Sequence, residues 1–166
     1  MNLPSISSLG VFSSAWSVDW IIIVAVATVI AFDAIRSGGT RAASLALSLP
    51  ATVVMLGALS HAAFVDGLTA QFSTPLLQAL LFLVIFIPIY IFTYRIIGSW
   101  GMSGGAPIEA LLTGLATTAI MLVVWLSIPA LDAVWHFGPQ VQYVFSEPYR
   151  FWWLIASYGA LSFARS

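Results

Sequence analysis

Few side chains in this chain could carry out acid–base, nucleophilic or metal chemistry. The 166 residues include six acids, five arginines, two histidines and no cysteine, which excludes disulfides, thiolate metal sites and a cysteine nucleophile. His61 and His136 stand apart from any cluster with metal-ligand spacing, so we expect no metal site and no cofactor. No Gly-x-Ser-x-Gly motif occurs, and the glycine-rich segment 101–105 lacks the lysine and the preceding strand of a phosphate-binding loop. The sequence therefore predicts a protein that is not an enzyme.

Two pairs of opposite charges are close together in the sequence. Asp33 and Arg36 lie three residues apart, a spacing at which a helix brings side chains together, and Arg95 and Glu109 flank one glycine-rich loop. The first pair could serve as a proton or ion relay, and the second as a relay or a gate. The structural alternative is an ordinary helix end, where the helix dipole favours Glu109 and Arg95 reaches toward water. We favour that alternative because transporters place ionisable groups within the membrane, whereas the apolar stretches of this chain hold none near their middles.

Four apolar stretches must position these residues. They cover about residues 20–35, 42–63, 75–97 and 107–131, and a helix of about 20 apolar residues crosses a bilayer core. The chain is 61% hydrophobic and 7% charged, with a mean hydropathy of +1.04, whereas a soluble domain carries about 25% charged residues. We therefore expect an all-α integral membrane protein in contact with the lipid bilayer. The formal net charge of −1 and the scattered arginines argue against nucleic acid as a partner.

Turn signals predict three regions: a polar lead (1–16), a four-helix transmembrane domain (17–132) and an outer-side tail (133–166). The lead has no Lys or Arg, which favours a retained first span over a cleaved signal peptide, with Ser17 or Asp19 as its helix cap. The short link 36–41 predicts an antiparallel hairpin of spans one and two, and spans three and four should form a second. The aromatic segment 149–163 should be a helix in the membrane interface or docked on the bundle, and a fifth, thin span is the alternative.

Two prolines and the arginines refine this topology. Pro50 and Pro88 fall inside spans two and three, so each should bend its helix, and the backbone groups freed there need partners from a neighbouring helix. Most of the arginines lie in the link between spans one and two and in the link between spans three and four. Because loops rich in positive charge stay in the cytoplasm, both links should be cytoplasmic and both termini outside. Arg150 and Arg165 in the tail count against that orientation.

Small residues recur at spacings of three and four along three spans, which allows helices to approach closely in lipid. Seven Trp and eleven Phe add further apolar surface that could face lipid or a partner. We expect the small residues to pack the bundle or to contact a partner subunit; they are Ala27, Ala31 and Ala34 in span one, Ser44, Ser48 and Ala51 in span two, and Ala110, Gly114 and Thr118 in span four.

The order of several short motifs matches that of a known family. Residues 18–20 read Val-Asp-Trp at the start of the first span, and residues 36–41 form an arginine-bearing turn that runs into Ala-Leu-Ser-Leu at 46–49. A Gly-Met-Ser-Gly turn at 101–104 precedes the last span, where Gly114 falls at a glycine position. These features, with the length and the aromatic tail, resemble the colicin V production (CvpA) family. The matching turn residues are Arg36, Gly38, Arg41, Gly101, Ser103 and Gly104.

The chain departs from that family at charged positions. Ala42 stands where the family has Glu, residues 106–107 read Ala-Pro where it has Asp-Arg, and Thr117 stands where it has Arg. The resemblance implies a multi-pass protein of the bacterial inner membrane that is linked to toxin production, export or envelope function. Some family members carry an extracytoplasmic protease on the four-span part, which this chain does not contain, so we expect no inherited catalysis.

Three functions remain open at this point. The first is a non-catalytic, CvpA-like inner-membrane protein that acts in export or envelope maintenance through partner proteins or copies of itself. The second is a small accessory subunit of a larger energy-transducing or secretion complex. The third is an oligomeric channel or small-solute carrier, whose conductance should be sensitive to bulky residues at Thr28 or Ser48.

Overall fold

The computed structural model describes residues 18–59, 74–98 and 107–164, and this part of the chain is all-helical. The polar lead with Ser17, the link with His61 and Asp66, and the turn with Gly101, Ser103 and Gly104 lie outside the described residues. The described helices are α1 (Val18–Ser37), α2 (Thr40–Leu59), α3 (Pro75–Gly98), α4 (Pro107–Ser127), α5 (Pro129–Val134), α6 (Pro139–Val144) and α7 (Glu147–Phe163). Helices α1 to α4 are long and apolar enough to cross a membrane, which confirms the prediction of four such helices.

A glycine turn separates α1 from α2. Gly38 has a φ of 76°, the left-handed conformation that commonly ends a helix and that glycine adopts without steric cost. Across the turn, the Arg41 guanidinium bonds the Asp33 carboxylate at 3.2 Å. The sequence spacing suggested Arg36 as the partner of Asp33, and the described ion pairs do not include that one. Arg41 is better placed than Arg36 to pair with Asp33 because it lies in the first turn of α2, close to the last turns of α1.

Helix α4 is the central element of the fold. It packs against α1, α2 and α7, and it contributes more buried residues than any other described helix. Helix α1 packs mainly on α4 and only slightly on α2, its neighbour in sequence. The explanation lies in the small residues of α4, which let α1 approach closely.

Helix α3 lies at the edge of the bundle. It packs against α2 and the short α5, and of its residues only Phe82 and Ile97 are buried. Phe82 stacks on Phe86, which stacks on Tyr90, with ring centroids 6.0 Å apart in each pair. The remainder of this very apolar helix is mostly exposed, and α3 is the least buried of the four long helices.

The fourth apolar stretch is shorter than predicted. Helix α4 ends at Ser127, and Ile128 is extended, with φ −113° and ψ 108°. The cause is Pro129, because a proline disfavours helical geometry in the residue before it. Helix α5 restarts at Pro129, so the expected span to Leu131 is wrong in its last turn.

The tail contributes to the core. Phe137, Val141 and Phe145 are buried against Leu122 and Val123 of α4. The predicted helix 149–163 is present and begins two residues earlier, at Glu147. Its side chains Leu154, Tyr158 and Leu161 pack against the second core cluster, around Ile120 and Leu49.

Candidate functional site

All but one of the predicted small residues are buried in the bundle. A Cβ on Gly114 would lie 2.6 Å from the Ala27 carbonyl oxygen and 2.8 Å from the Ala31 Cβ, so only glycine fits where α4 meets α1. Ala51 is exposed and Thr52 is fully buried in its place, because four residues after Ser48 returns the helix to the same face. The other predicted small residues are buried, namely Ala27, Ala31, Ala34, Ser44, Ser48, Ala110, Gly114 and Thr118.

Buried hydroxyls in the bundle are satisfied mainly within their own helices. Ser44, Thr113 and Thr118 each donate to the carbonyl four residues earlier, at 2.7 to 2.8 Å. Ser48 is fully buried, whereas Thr28 is exposed on α1 and donates to the carbonyl of its own helix. These two residues therefore do not share a surface within one chain.

Thr117 of α4 and Ala42 of α2 adjoin in this fold. The Thr117 hydroxyl lies 3.5 Å from the Ala42 carbonyl oxygen, a weak hydrogen bond between α4 and α2. Thr117 is 1% exposed and Ala42 is 3% exposed. Both side chains are small and close-packed, so the two helices meet here without a charge.

A proline creates the need for one long-range hydrogen bond. Pro50 has no N–H, so the Ala46 carbonyl, four residues earlier, lacks the amide donor that a regular helix would supply. The Tyr158 hydroxyl of α7 donates to that carbonyl oxygen at 3.0 Å. Burial raises the pKa of the Tyr158 hydroxyl above its ordinary value. This bond confirms the prediction that a neighbouring helix satisfies the backbone group freed at Pro50.

Asp19 joins the start of α1 to the tail. Its Oδ2 accepts a hydrogen bond from the Gly138 N–H at 2.7 Å, and Asp19 as a whole is only 9% exposed. A Cβ on Gly138 would lie 2.7 Å from the same oxygen, so the close approach requires glycine. The sequence predicted Ser17 or Asp19 as the cap of this helix, and nothing local indicated a partner for Asp19 that lies 119 residues away.

A polar cluster lies on the tail at the same end of the bundle. His136 Nδ1 is 3.0 Å from Asp132 Oδ2, and His136 Nε2 is 3.0 Å from Gln142 Nε2. The other carboxylate oxygen, Asp132 Oδ1, is buried and has no hydrogen-bond partner. The described residues contain no group of three or more His, Asp or Glu that could hold a metal ion.

One indole joins α4 to the tail, and a second joins α6 to α7 within the tail. Trp125 Nε1 donates to the Trp135 carbonyl at 3.1 Å, and Trp153 Nε1 donates to the Val144 carbonyl at 2.9 Å. The Trp153 ring also packs on Phe145, with centroids 4.8 Å apart. Aromatic side chains thus supply both the packing and the donors that a loop of this length needs.

An apolar cavity of about 390 Å³ lies between α1, α4 and residues 134–137 of the tail. Its walls include Ile22 and Val26 of α1, Met121 and Trp125 of α4, and Trp135 of the tail. Sequence reasoning did not find this cavity, because its walls come from three segments that are far apart along the chain.

The remaining predicted charges lie at helix ends. Arg36 is exposed in the last turn of α1 and Arg95 is exposed in the last turn of α3, while Glu109 is half-buried in the first turn of α4. These positions agree with the favourable signs of the helix dipole.

Comparison with protein-family models, with curated proteins and with solved structures gave no match. The assignment of a function therefore depends on the geometry described above and on the motifs of the sequence.

Proposed function

We propose that this chain is a non-catalytic, CvpA-like protein of the bacterial inner membrane that acts in export or envelope maintenance through partner proteins. The observation that carries the proposal is the contact between Thr117 and Ala42, at 3.5 Å. These two positions hold Arg and Glu in the family, and an Arg and a Glu at adjoining buried positions would form an ion pair. Their joint replacement by small residues keeps the contact and removes both charges together.

The proposed topology follows from the same assignment. Helices α1 and α2 form one antiparallel hairpin and α3 and α4 a second, both termini lie outside, and α7 lies at the outer interface or on the bundle. The natural chain contains no cysteine, so single cysteines can be labelled without background. A cysteine at Ser37 should react only from the cytoplasmic side and one at Tyr143 only from outside, and the reverse pattern would contradict the orientation.

The proposed partner surface is the outer face of α3. Helix α3 is the least buried of the four long helices, and its exposed side chains Leu80, Val84, Ile87 and Ile91 repeat at helical spacing. A helix of a partner membrane protein could pack along this row. The same face favours the second candidate, an accessory subunit of a larger membrane complex, which would occupy a fixed place in that assembly.

A pull-down in mild detergent tests the proposal. The wild-type chain should retain defined membrane proteins, and Val84→Trp on α3 should release them by changing the shape of the face. Val29→Trp on α1 is the matched control, since it introduces the same change at a similarly exposed valine. Retention of nothing specific by the wild type, or equal loss with both variants, would rule out the α3 surface.

The retained proteins separate the two candidates. If the chain is retained in a fixed ratio with the large subunits of one complex, and is poorly stable when isolated, the result supports the accessory subunit. Export or envelope proteins retained by a chain that is stable alone support the CvpA-like function. The channel hypothesis predicts conductance from the pure reconstituted chain, and its absence would exclude that function.

A further inference from the structure

We propose that the apolar cavity between α1, α4 and the tail binds one alkyl chain of a membrane lipid. The inference rests on the proposed membrane-spanning function, because it assumes that α1 and α4 cross a bilayer. The cavity, of about 390 Å³, falls within the range of about 300–1,000 Å³ that is typical of ligand pockets.

The chemistry of the walls excludes a polar occupant. Thr118 is the one wall residue with a side-chain hydroxyl, and that hydroxyl donates to the Gly114 carbonyl of its own helix at 2.8 Å. The Trp125 indole N–H donates to the Trp135 carbonyl. A buried water needs about two to four polar partners, and the surface of these walls is almost entirely apolar. An apolar ligand is the class that such a site accepts.

The position of the cavity favours a lipid chain as its source. Ile22 and Val26 lie about 6 and 12 Å along the axis from the start of α1, at 1.5 Å per residue, which in a bilayer is the outer part of the hydrocarbon layer. Met121, Val134 and Trp135 are partly exposed, so the cavity opens to the side of the bundle. The molecules that surround this opening in a membrane are lipid acyl chains.

The size of the cavity favours a chain over a protein partner. A helix with its side chains is about 10 Å across, and a space of about 390 Å³ cannot admit one. A flexible alkyl chain is narrow enough to enter from the side and would contact the walls from both α1 and α4. The Asp19–Gly138 bond and the bond from Trp125 to the Trp135 carbonyl hold the tail beside the cavity without a ligand, so the site is preformed.

The experiment measures lipid retained by the purified full chain. Native mass spectrometry in mild detergent should show one phospholipid per wild-type chain. Val26→Trp fills the cavity from α1 and should reduce that retention at least about tenfold. Val24→Trp is the control, since this valine is exposed on the same helix and is not a wall residue. Added dipalmitoyl phosphatidylglycerol should raise the Tm of the wild type and of the control but not that of Val26→Trp.

Other outcomes would overturn the inference. These are equal lipid retention in the wild type and in Val26→Trp, equal loss in the control, or lipid loss that accompanies a change in oligomeric mass, which would assign the cavity to a second copy. If Val26→Trp does not fold, Met121→Phe fills the same cavity from α4 and decides the question in the same assay. Partner capture through α3 is measured separately in Val26→Trp, so a failure of the lipid site and a failure of the proposed function give different results.

Discussion

The Tyr158 hydroxyl donates a hydrogen bond to the Ala46 carbonyl oxygen at 3.0 Å, and this bond joins α7 to the middle of the bundle. Ala46 is fully buried, and Pro50 cannot supply the amide that would normally bond its carbonyl. One proline therefore explains why a tyrosine 112 residues further along the chain points into the core. The docked position of α7 depends on this donor as well as on apolar packing.

Replacement of Tyr158 by Phe should destabilise the protein by about 1 to 2 kcal/mol, because it leaves the buried Ala46 carbonyl without a donor. The loss should be smaller in a Pro50→Ala background, where residue 50 regains its N–H. Tyr143→Phe is the control, since Tyr143 is 80% exposed. Thermal unfolding in detergent measures the effect, and an equal loss in both backgrounds would disprove the link to Pro50.

Replacement of Gly114 by Ala should destabilise the contact between α1 and α4 by about 1 to 3 kcal/mol. The new Cβ would meet backbone atoms of Ala27 and Ala31 at less than 3.0 Å, and backbone cannot move aside cheaply. Gly159→Ala in α7 is the matched control, because nothing lies within 4 Å of its added Cβ. The control should be neutral or more stable by up to about 1 kcal/mol, since alanine favours helix. Equal melting temperatures for the two variants would contradict the close approach.

Replacement of Asp19 by Ala should cost about 2 kcal/mol, because the Gly138 N–H loses its charged acceptor. Asp19→Asn keeps an acceptor oxygen and should cost about half as much. Asp33→Ala removes a carboxylate whose ion pair with Arg41 is solvent-exposed, so it should cost less than about 1 kcal/mol. Limited proteolysis of the tail, with the fragments identified by mass spectrometry, tests the same Asp19–Gly138 bond. If the tail of Asp19→Ala resists proteolysis as well as the wild-type tail does, the bond does not hold the tail in place.

A double-mutant cycle tests the contact between α2 and α4. Ala42→Glu and Thr117→Arg should each destabilise the protein by several kcal/mol, because each buries an unpaired charge. The double variant should lose about 1 to 3 kcal/mol less stability than the two single variants added together, since the two charges can pair. Additive losses, measured by chemical unfolding in detergent, would show that the two positions cannot accommodate an ion pair.

By itself the sequence determined the local features of this protein. Span length and composition predicted four helices long enough for a membrane, and the small residues at three- and four-residue spacings predicted the buried faces of α1 and α4. Pro50 predicted an unmet carbonyl, since the loss of an N–H is a property of the proline alone. Each of these features depends on residues within one or two helical turns, so it can be predicted without knowing how the helices pack.

Only the tertiary structure decided which distant residues meet. The pairing of α1 with α4, the choice of Tyr158 as the donor to Ala46, the bond from Asp19 to Gly138 and the cavity beneath the tail each join residues from separate helices. In a chain this apolar, many helix pairings bury similar surface, so periodicity cannot select among them. The pairing depends on shape at Gly114, where α1 approaches α4 closely. It also depends on the few polar groups that must find hydrogen-bond partners away from water.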